Sequence, residues 1–153
     1  MKKENVLFGV LGSLVGIIPG IILYVILSQV NFYASIAAIA IIYGSMYAYR
    51  YMARIGIKNE NYDNRKSGFY IDESISIFGT AVSIIASIAG VFIAEVGDMI
   101  IRFRKGFPGS SIGEALSPAI NAVMEHTIFY LIISIIIVVV GGIGFYMRNK
   151  KTA

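Results

Sequence analysis

The chain has 153 residues, of which 57% are hydrophobic and only 14% are charged, and its mean hydropathy is +0.76. So much apolar surface does not fit into the interior of one soluble domain, which excludes an ordinary water-soluble globular protein. The absence of cysteine excludes disulfides, thiol redox chemistry and thiolate metal sites. The composition therefore predicts a protein of the lipid bilayer.

Charged residues are almost absent from four stretches, each close to the roughly 20 residues that a helix needs to cross a ~30 Å hydrocarbon core. The stretches are Val6–Leu27, Phe32–Tyr49, Ser74–Ala94 and Thr127–Met147. With their helical ends, they predict spans at about 6–27, 32–53, 74–101 and 127–147 in one integral membrane domain, residues 1–153. The predicted fold class is all-α, a four-helix transmembrane bundle.

The first span carries glycines at a regular spacing, although each interior glycine weakens a helix by roughly 0.5–1 kcal/mol relative to alanine. Gly12, Gly16 and Gly20 recur every four residues and therefore form one stripe along the helix. Helices in lipid associate where small residues let their backbones approach closely. The stripe predicts a helix-packing face, and Pro19 predicts a kink within this span.

Small residues form similar stripes on the next two spans, which gives packing faces on three of the four predicted helices. The members are Ala40, Gly44 and Ala48 on the second span and Ser83, Ser87 and Gly90 on the third. One interpretation is packing within a single four-helix bundle. The alternative is a seam between identical copies or the lining of a pore, and the spacing does not separate the two.

Lysine and arginine residues predict the orientation, because cytoplasmic loops carry an excess of them. They lie before the first span, between the second and third, and after the fourth: Lys2, Lys3, Arg50, Arg54, Lys58, Arg65, Lys66, Arg148, Lys150 and Lys151. This distribution predicts a cell-membrane protein with both termini in the cytoplasm. This topology places Arg102, Arg104 and Lys105 outside, against the same rule, and it leaves two alternatives open for the connection after the third span: an extracytoplasmic position or one within the membrane interface.

The third span ends in the charged sequence "IAEVGDMIIRFRKG". Glu95, Asp98 and Arg102 fall near one helical face, and Asp98 and Arg102 have the spacing of an ion pair. Counted from Ser74, Glu95 lies about 30 Å along the helix, at the far interface. We interpret these residues as a hydrated interfacial cluster. A cation or proton site is the alternative, since acids near a membrane span are functional candidates.

A short amphipathic interfacial helix is predicted between the third and fourth spans. Ser111 and Glu114 have the spacing of a capping box, and Ser117 followed by Pro118 resembles a second helix start. The apolar side chains predicted to face the membrane are Ile120, Val123 and Met124.

The catalytic motifs of metalloproteases and of nucleotide-binding enzymes are missing from the sequence. There is no HExxH and no glycine-rich loop ending in GK[ST], and no enzymatic activity and no cofactor is predicted. The single histidine, His126, has no spaced partner that would indicate a metal site. The pI of about 9.3 is explained by basic residues near the cytoplasmic ends of the spans, so nucleic-acid binding is not predicted.

Three segments carry a resemblance to a known group of proteins: "LGSLVGIIPGIILYVI", "YGSMYAYRYMARIG" and "GSSIGEALSPAINAV". They resemble an uncharacterised family of small four-span membrane proteins of low-GC Gram-positive bacteria. The resemblance covers nearly the whole chain, and its motifs are mainly placements of glycine. It implies a location in the cytoplasmic membrane and implies no known reaction.

Two classes of function follow from these observations. The first is a non-enzymatic helical-bundle subunit that packs or oligomerises through its small-residue stripes, with the lipid bilayer and other membrane subunits as partners. The second is a small transporter or channel with an acidic site at the outer end of the third span.

Overall fold

The computed structural model describes residues 5–30, 36–55 and 76–150. Its helices are α1 (Val6–Gly16), α2 (Ile18–Gln29), α3 (Ala37–Met52), α4 (Ile77–Gly106), α5 (Ile112–Ala122) and α6 (Ile128–Lys150), with one π-helical turn, Val123–Thr127, between the last two. Every element that the structure describes is helical, which confirms the all-α prediction. The starts of the predicted second and third spans, the polar loop between these spans, and Lys2, Lys3 and Lys151 lie outside the described residues.

Three helical stretches in the described part of the chain are long and apolar enough to cross a membrane. They are Val6–Gln29, Ile77–Gly106 and Ile128–Arg148, and they contain most of the first, third and fourth predicted spans. The second predicted span contains α3, whose 16 described residues make it shorter than these three.

The first apolar stretch is divided into α1 and α2 at Ile17. Pro19, the second residue of α2, has no N–H to donate to the turn before it, so the regular ladder of helical hydrogen bonds is interrupted there. The helix is thus interrupted within two residues of Pro19, where the kink is predicted. Asn5 caps the start of α1 by accepting a hydrogen bond from the Phe8 N–H at 3.4 Å.

The centre of the bundle is α3. It runs antiparallel to α1 and α2. The Asn5 N–H, just before α1, donates to the carbonyl oxygen of Ala53, just after α3, at 2.8 Å. On its other sides α3 contacts α4 and α6. Its buried side chains, which include Ile41, Met46 and Tyr49, consequently form the middle of the apolar core.

The helices α4 and α5 are joined by a short turn in which Gly109 adopts a φ of 101°, a conformation that favours glycine. Ser111 and Glu114 form the predicted capping box at the start of α5, which confirms that prediction. The predicted second helix start at Ser117 is wrong, because Pro118 lies inside α5. The capping box has already begun the helix, and α5 continues through the proline to Ala122.

The helix α5 packs against α4, with Ala115 and Ala119 buried. Val123, which begins the π turn, is also buried, so its predicted membrane-facing position is wrong. Ile120 and Met124 are exposed on the opposite side. Because the π turn connects α5 to α6 without an intervening loop, α5 is an extension of the last apolar helix.

Candidate functional site

The glycine stripe of the first span lies against α3. A methyl group in place of the α-hydrogen of Gly12 or Gly16 would collide with the backbone carbonyl of Ala48 or Gly44, and at Gly20 it would lie 2.6 Å from the Ile41 Cγ1. Gly44 faces Gly16 in turn. Only residues without a side chain allow this separation of the two helices, since even a Cβ would overlap the opposite backbone.

The remaining residues of the predicted stripes lie close to this contact. Ala48 lies beside Gly12 and Gly16, and Ala40 is half-buried on the same helix. A methyl group at Gly90 of α4 would lie 3.2 Å from Ile41 Cγ2 and 3.3 Å from Ile17 Cβ. The small residues therefore bring α1, α2, α3 and α4 together within one chain.

A group of buried serines joins α1, α3 and α4 near the middle of the bundle. The Ser13 and Ser83 hydroxyl oxygens lie 3.2 Å apart. The Ser83 carbonyl oxygen accepts hydrogen bonds from the Ser45 hydroxyl at 3.3 Å and from the Ser87 hydroxyl at 2.7 Å. All four serines are fully buried, and these bonds satisfy hydroxyls that would otherwise be costly to remove from water.

Glu95 lies inside the bundle, with a relative exposure of 4%. Its Oε1 accepts a hydrogen bond from the hydroxyl of Tyr24, which is itself buried on α2. The close approach of α2 to α4 places the phenol and the carboxyl group side by side. Burial differs from the hydrated position interpreted from the sequence, because that interpretation counted distance along a single helix and did not include its neighbour.

Asp98 is also buried, at 1% exposure, and it links α4 to the end of α2. Its Oδ2 accepts a hydrogen bond from Arg102 Nε at 2.8 Å, and its Oδ1 accepts one from the Gln29 side-chain amide. Lys105 donates to the Gln29 side-chain oxygen. The ion pair predicted from the spacing of Asp98 and Arg102 is therefore present, with the carboxylate buried and the guanidinium partly exposed.

Arg102 extends from the ion pair to α2. Its Nη2 donates to the Ser28 carbonyl oxygen at 2.9 Å and to the Ser28 hydroxyl at 3.1 Å. Arg102 thus links the C-terminal turn of α2 to α4 at the exposed end of the group formed by Glu95 and Asp98. Cations that bond to the last carbonyls of a helix also interact favourably with its dipole.

The residues of the other helices that complete the site were not predicted from the sequence. These are Tyr24, Ser28 and Gln29 of α2, together with Ser134 of α6, which interacts with Tyr24. Tyr24 and Ser28 continue the four-residue spacing of Gly12, Gly16 and Gly20 along the first span. That continuation, in which the packing stripe becomes polar at one end, is the signal that points to them.

The site around Glu95 and Asp98 offers carboxyl and hydroxyl oxygen atoms, and one of its two carboxyl groups is not bonded to a cation. Its described residues do not pair a nucleophile with a base. The charge of Asp98 is opposed by Arg102, whereas Glu95 has a phenol as its hydrogen-bond partner. Within the described part of the chain, no group of three or more metal-binding side chains occurs, and the side chain of His126 lies outside that part. Chemically, the site is suited to holding a proton or a small cation.

A scan against protein-family models and searches of curated proteins and of solved structures found no match to this chain. Its class therefore follows from the fold and composition alone. The chain is an all-α helical bundle with three helices long and apolar enough to cross a membrane, as in a membrane protein.

Proposed function

We propose that the chain is an integral membrane protein with four spans that acts as a non-enzymatic helical-bundle subunit. The observation that supports it most directly is the distribution of polar and apolar side chains. Large apolar residues cover the outside, as at Leu7, Ile85 and Val140, which are 70%, 68% and 64% exposed. The interior holds an apolar core and, within it, five serines and two acids. This arrangement is unfavourable in water and favourable in lipid.

The helix α3 supplies the fourth crossing in this proposal. Its contacts with the first stretch extend from Ala53, opposite Asn5, to Ile41, opposite Gly20. It therefore lies alongside about 15 residues of α1 and α2, or ~23 Å, which is most of a ~30 Å hydrocarbon core. This length of contact with the first stretch, together with the contacts of α3 with α4 and α6, supports a fourth crossing.

The orientation in the proposal follows from the basic residues. Both termini and the loop between the second and third spans lie in the cytoplasm, and the turn between α4 and α5 lies on the other side. The cell membrane and the four-span family of low-GC Gram-positive bacteria are parts of this proposal. They rest on charge distribution and on glycine placement.

The subunit role is supported by the apolar surfaces that the packing of the helices leaves exposed on the outside of the bundle. The small residues of α1, α2 and α3 are occupied inside the chain, so the proposed role for these stripes is packing within the bundle. The surfaces left for a partner are the apolar outer faces of α1, α4 and α6, at residues such as Leu14, Ile85 and Ile136.

Photo-crosslinking in native membranes tests this role. A photoreactive side chain at Leu14, Ile85 or Ile136 should give a discrete protein adduct from at least one outer face. The matched control is Ile41, which is fully buried and should give none. Crosslinking to lipid alone from all three outer positions would reject the subunit role.

A small transporter or channel is the second candidate function, and the burial of Glu95 and Asp98 favours it. Ionisable residues inside the membrane are costly and commonly mark ion or proton pathways. The test is ion flux in vesicles reconstituted with the purified protein. Flux that is lost in Glu95→Gln, with folding preserved, would support transport, and impermeable wild-type vesicles would reject it.

A further inference from the structure

Glu95 carries a negative charge that the groups around it do not balance when it is ionised. The ionisable groups that act on it are Tyr24 of α2 and, on its own helix, Asp98 and Arg102. The acids of α5 and the π turn, Glu114 and Glu125, are exposed. Arg102 is bonded to Asp98 and Lys105 to Gln29, so neither cation is bonded to ionised Glu95, and a single proton neutralises that carboxylate.

A second and independent observation comes from α6. Ser134 is fully buried, and its hydroxyl oxygen has no hydrogen-bond partner among the described residues. It interacts with the Tyr24 hydroxyl, although no hydrogen bond of normal length and angle joins the two groups while Tyr24 donates to Glu95. A buried hydroxyl without a partner is unfavourable, so its position beside a phenol that already donates elsewhere requires an explanation.

We propose that Glu95, Tyr24 and Ser134 form a proton-binding site whose hydrogen bonds rearrange when Glu95 takes up a proton. When Glu95 is ionised, the Tyr24 hydroxyl donates to the carboxylate, as observed. When a proton from water adds to a carboxylate oxygen, the new O–H donates to the phenol oxygen. The Tyr24 hydroxyl keeps its own proton and turns to the oxygen of Ser134.

This rearrangement gives every polar group a partner in the protonated state. Ser134 gains the donor that it lacks, and the carboxyl group becomes neutral inside an apolar bundle. A proton also fits the site better than a divalent cation. Calcium requires six to eight oxygen ligands and magnesium six, whereas this site offers one carboxyl group and two hydroxyls.

The inference rests on the second candidate function, since it names the ligand of the proposed acidic site. Infrared spectroscopy of the full chain in lipid tests it without measuring transport. A protonated carboxyl group has its own carbonyl absorption. Because the chain has nine Asp and Glu residues, the Glu95 band is the component that the Glu95→Gln substitution removes, and it should disappear as the pH rises. The band should be absent in Glu95→Gln and retained in Glu114→Gln, which changes an exposed acid of α5.

The Ser134→Ala variant tests the rearrangement itself and does not depend on the stability of Glu95→Gln. Loss of the acceptor weakens only the protonated state, so the midpoint of the band should move to lower pH by about 0.5–1 unit. Ser87→Ala is the matched control, because this buried hydroxyl bonds to its own helix. Its midpoint should equal that of the wild type.

Three results would overturn the proposal. They are a carboxyl absorption that is the same in Glu95→Gln as in the wild type, equal midpoints for Ser134→Ala and Ser87→Ala, and a midpoint that moves with sodium concentration, which would identify a cation site. A titrating band in vesicles that show no ion flux would reject transport while the proton-binding site stands.

Discussion

Gly16 of α1 and Gly44 of α3 face each other so closely that a methyl group on either one would collide with the carbonyl oxygen of the other. The relationship is reciprocal, and both backbones are fixed by their own helical hydrogen bonds. Neither helix can move aside without separating Gly12 from Ala48 and Gly20 from Ile41 as well. This contact therefore sets the distance between the first span and the centre of the bundle.

Gly16→Ala should destabilise the protein, although alanine is the better helix former by about 0.5–1 kcal/mol. The added methyl group meets backbone, which cannot yield as a flexible side chain does, and overpacking of this kind typically costs about 1–3 kcal/mol. Thermal melting in detergent measures the difference. The control is Ile22→Leu on the exposed face of α2, which should melt like the wild type. Equal melting of the two variants would contradict the packing described here.

Asp98→Asn should lower the free energy of unfolding by about 1–2 kcal/mol at pH 7. Removing one partner of a buried ion pair is costly, and the effect is reduced here because the Arg102 side chain is 44% exposed and partly solvated. Arg104→Gln, a change at an exposed position on the same helix, should have almost no effect. If Asp98→Asn were as stable as Arg104→Gln, the Asp98–Arg102 pair would be hydrated at the membrane interface, as interpreted from the sequence, and not buried.

Cysteine labelling checks the orientation, since the chain has no cysteine of its own. A cysteine at Ser110, in the turn between α4 and α5, should react with an impermeant thiol reagent on intact cells, and so should one at Ser28. A cysteine at Asn64, which lies outside the described residues, should react only after the cells are opened. The reverse pattern would invert the proposed topology.

The parts of the fold that were predictable from the sequence are those that depend on spacing within one helix. The helical class, the helix break beside Pro19, the capping box at Ser111 and the Asp98–Arg102 pair are of this kind, because each involves residues within a turn or two of one another. They require no knowledge of which helices are neighbours.

The candidate site was harder to predict, because its residues come from three helices. Tyr24, which bonds to Glu95, lies about 70 residues before it in the chain, and Ser134, which interacts with Tyr24, lies about 40 residues after it. The wrong prediction of a helix start at Ser117 and Pro118 has a related cause. A proline is equally compatible with a helix start and with an interior position once an earlier cap has begun the helix.

The central claim is that the small and polar faces of the helices meet inside one copy of the chain. Oxidation of the double variant Ser13→Cys/Ser83→Cys in native membranes tests it most directly, because the two hydroxyl oxygens lie 3.2 Å apart across α1 and α4. We predict a disulfide within a single chain, and no crosslink in Ser13→Cys alone. A disulfide-linked dimer from Ser13→Cys alone would show that this face meets a second copy, and would contradict the account.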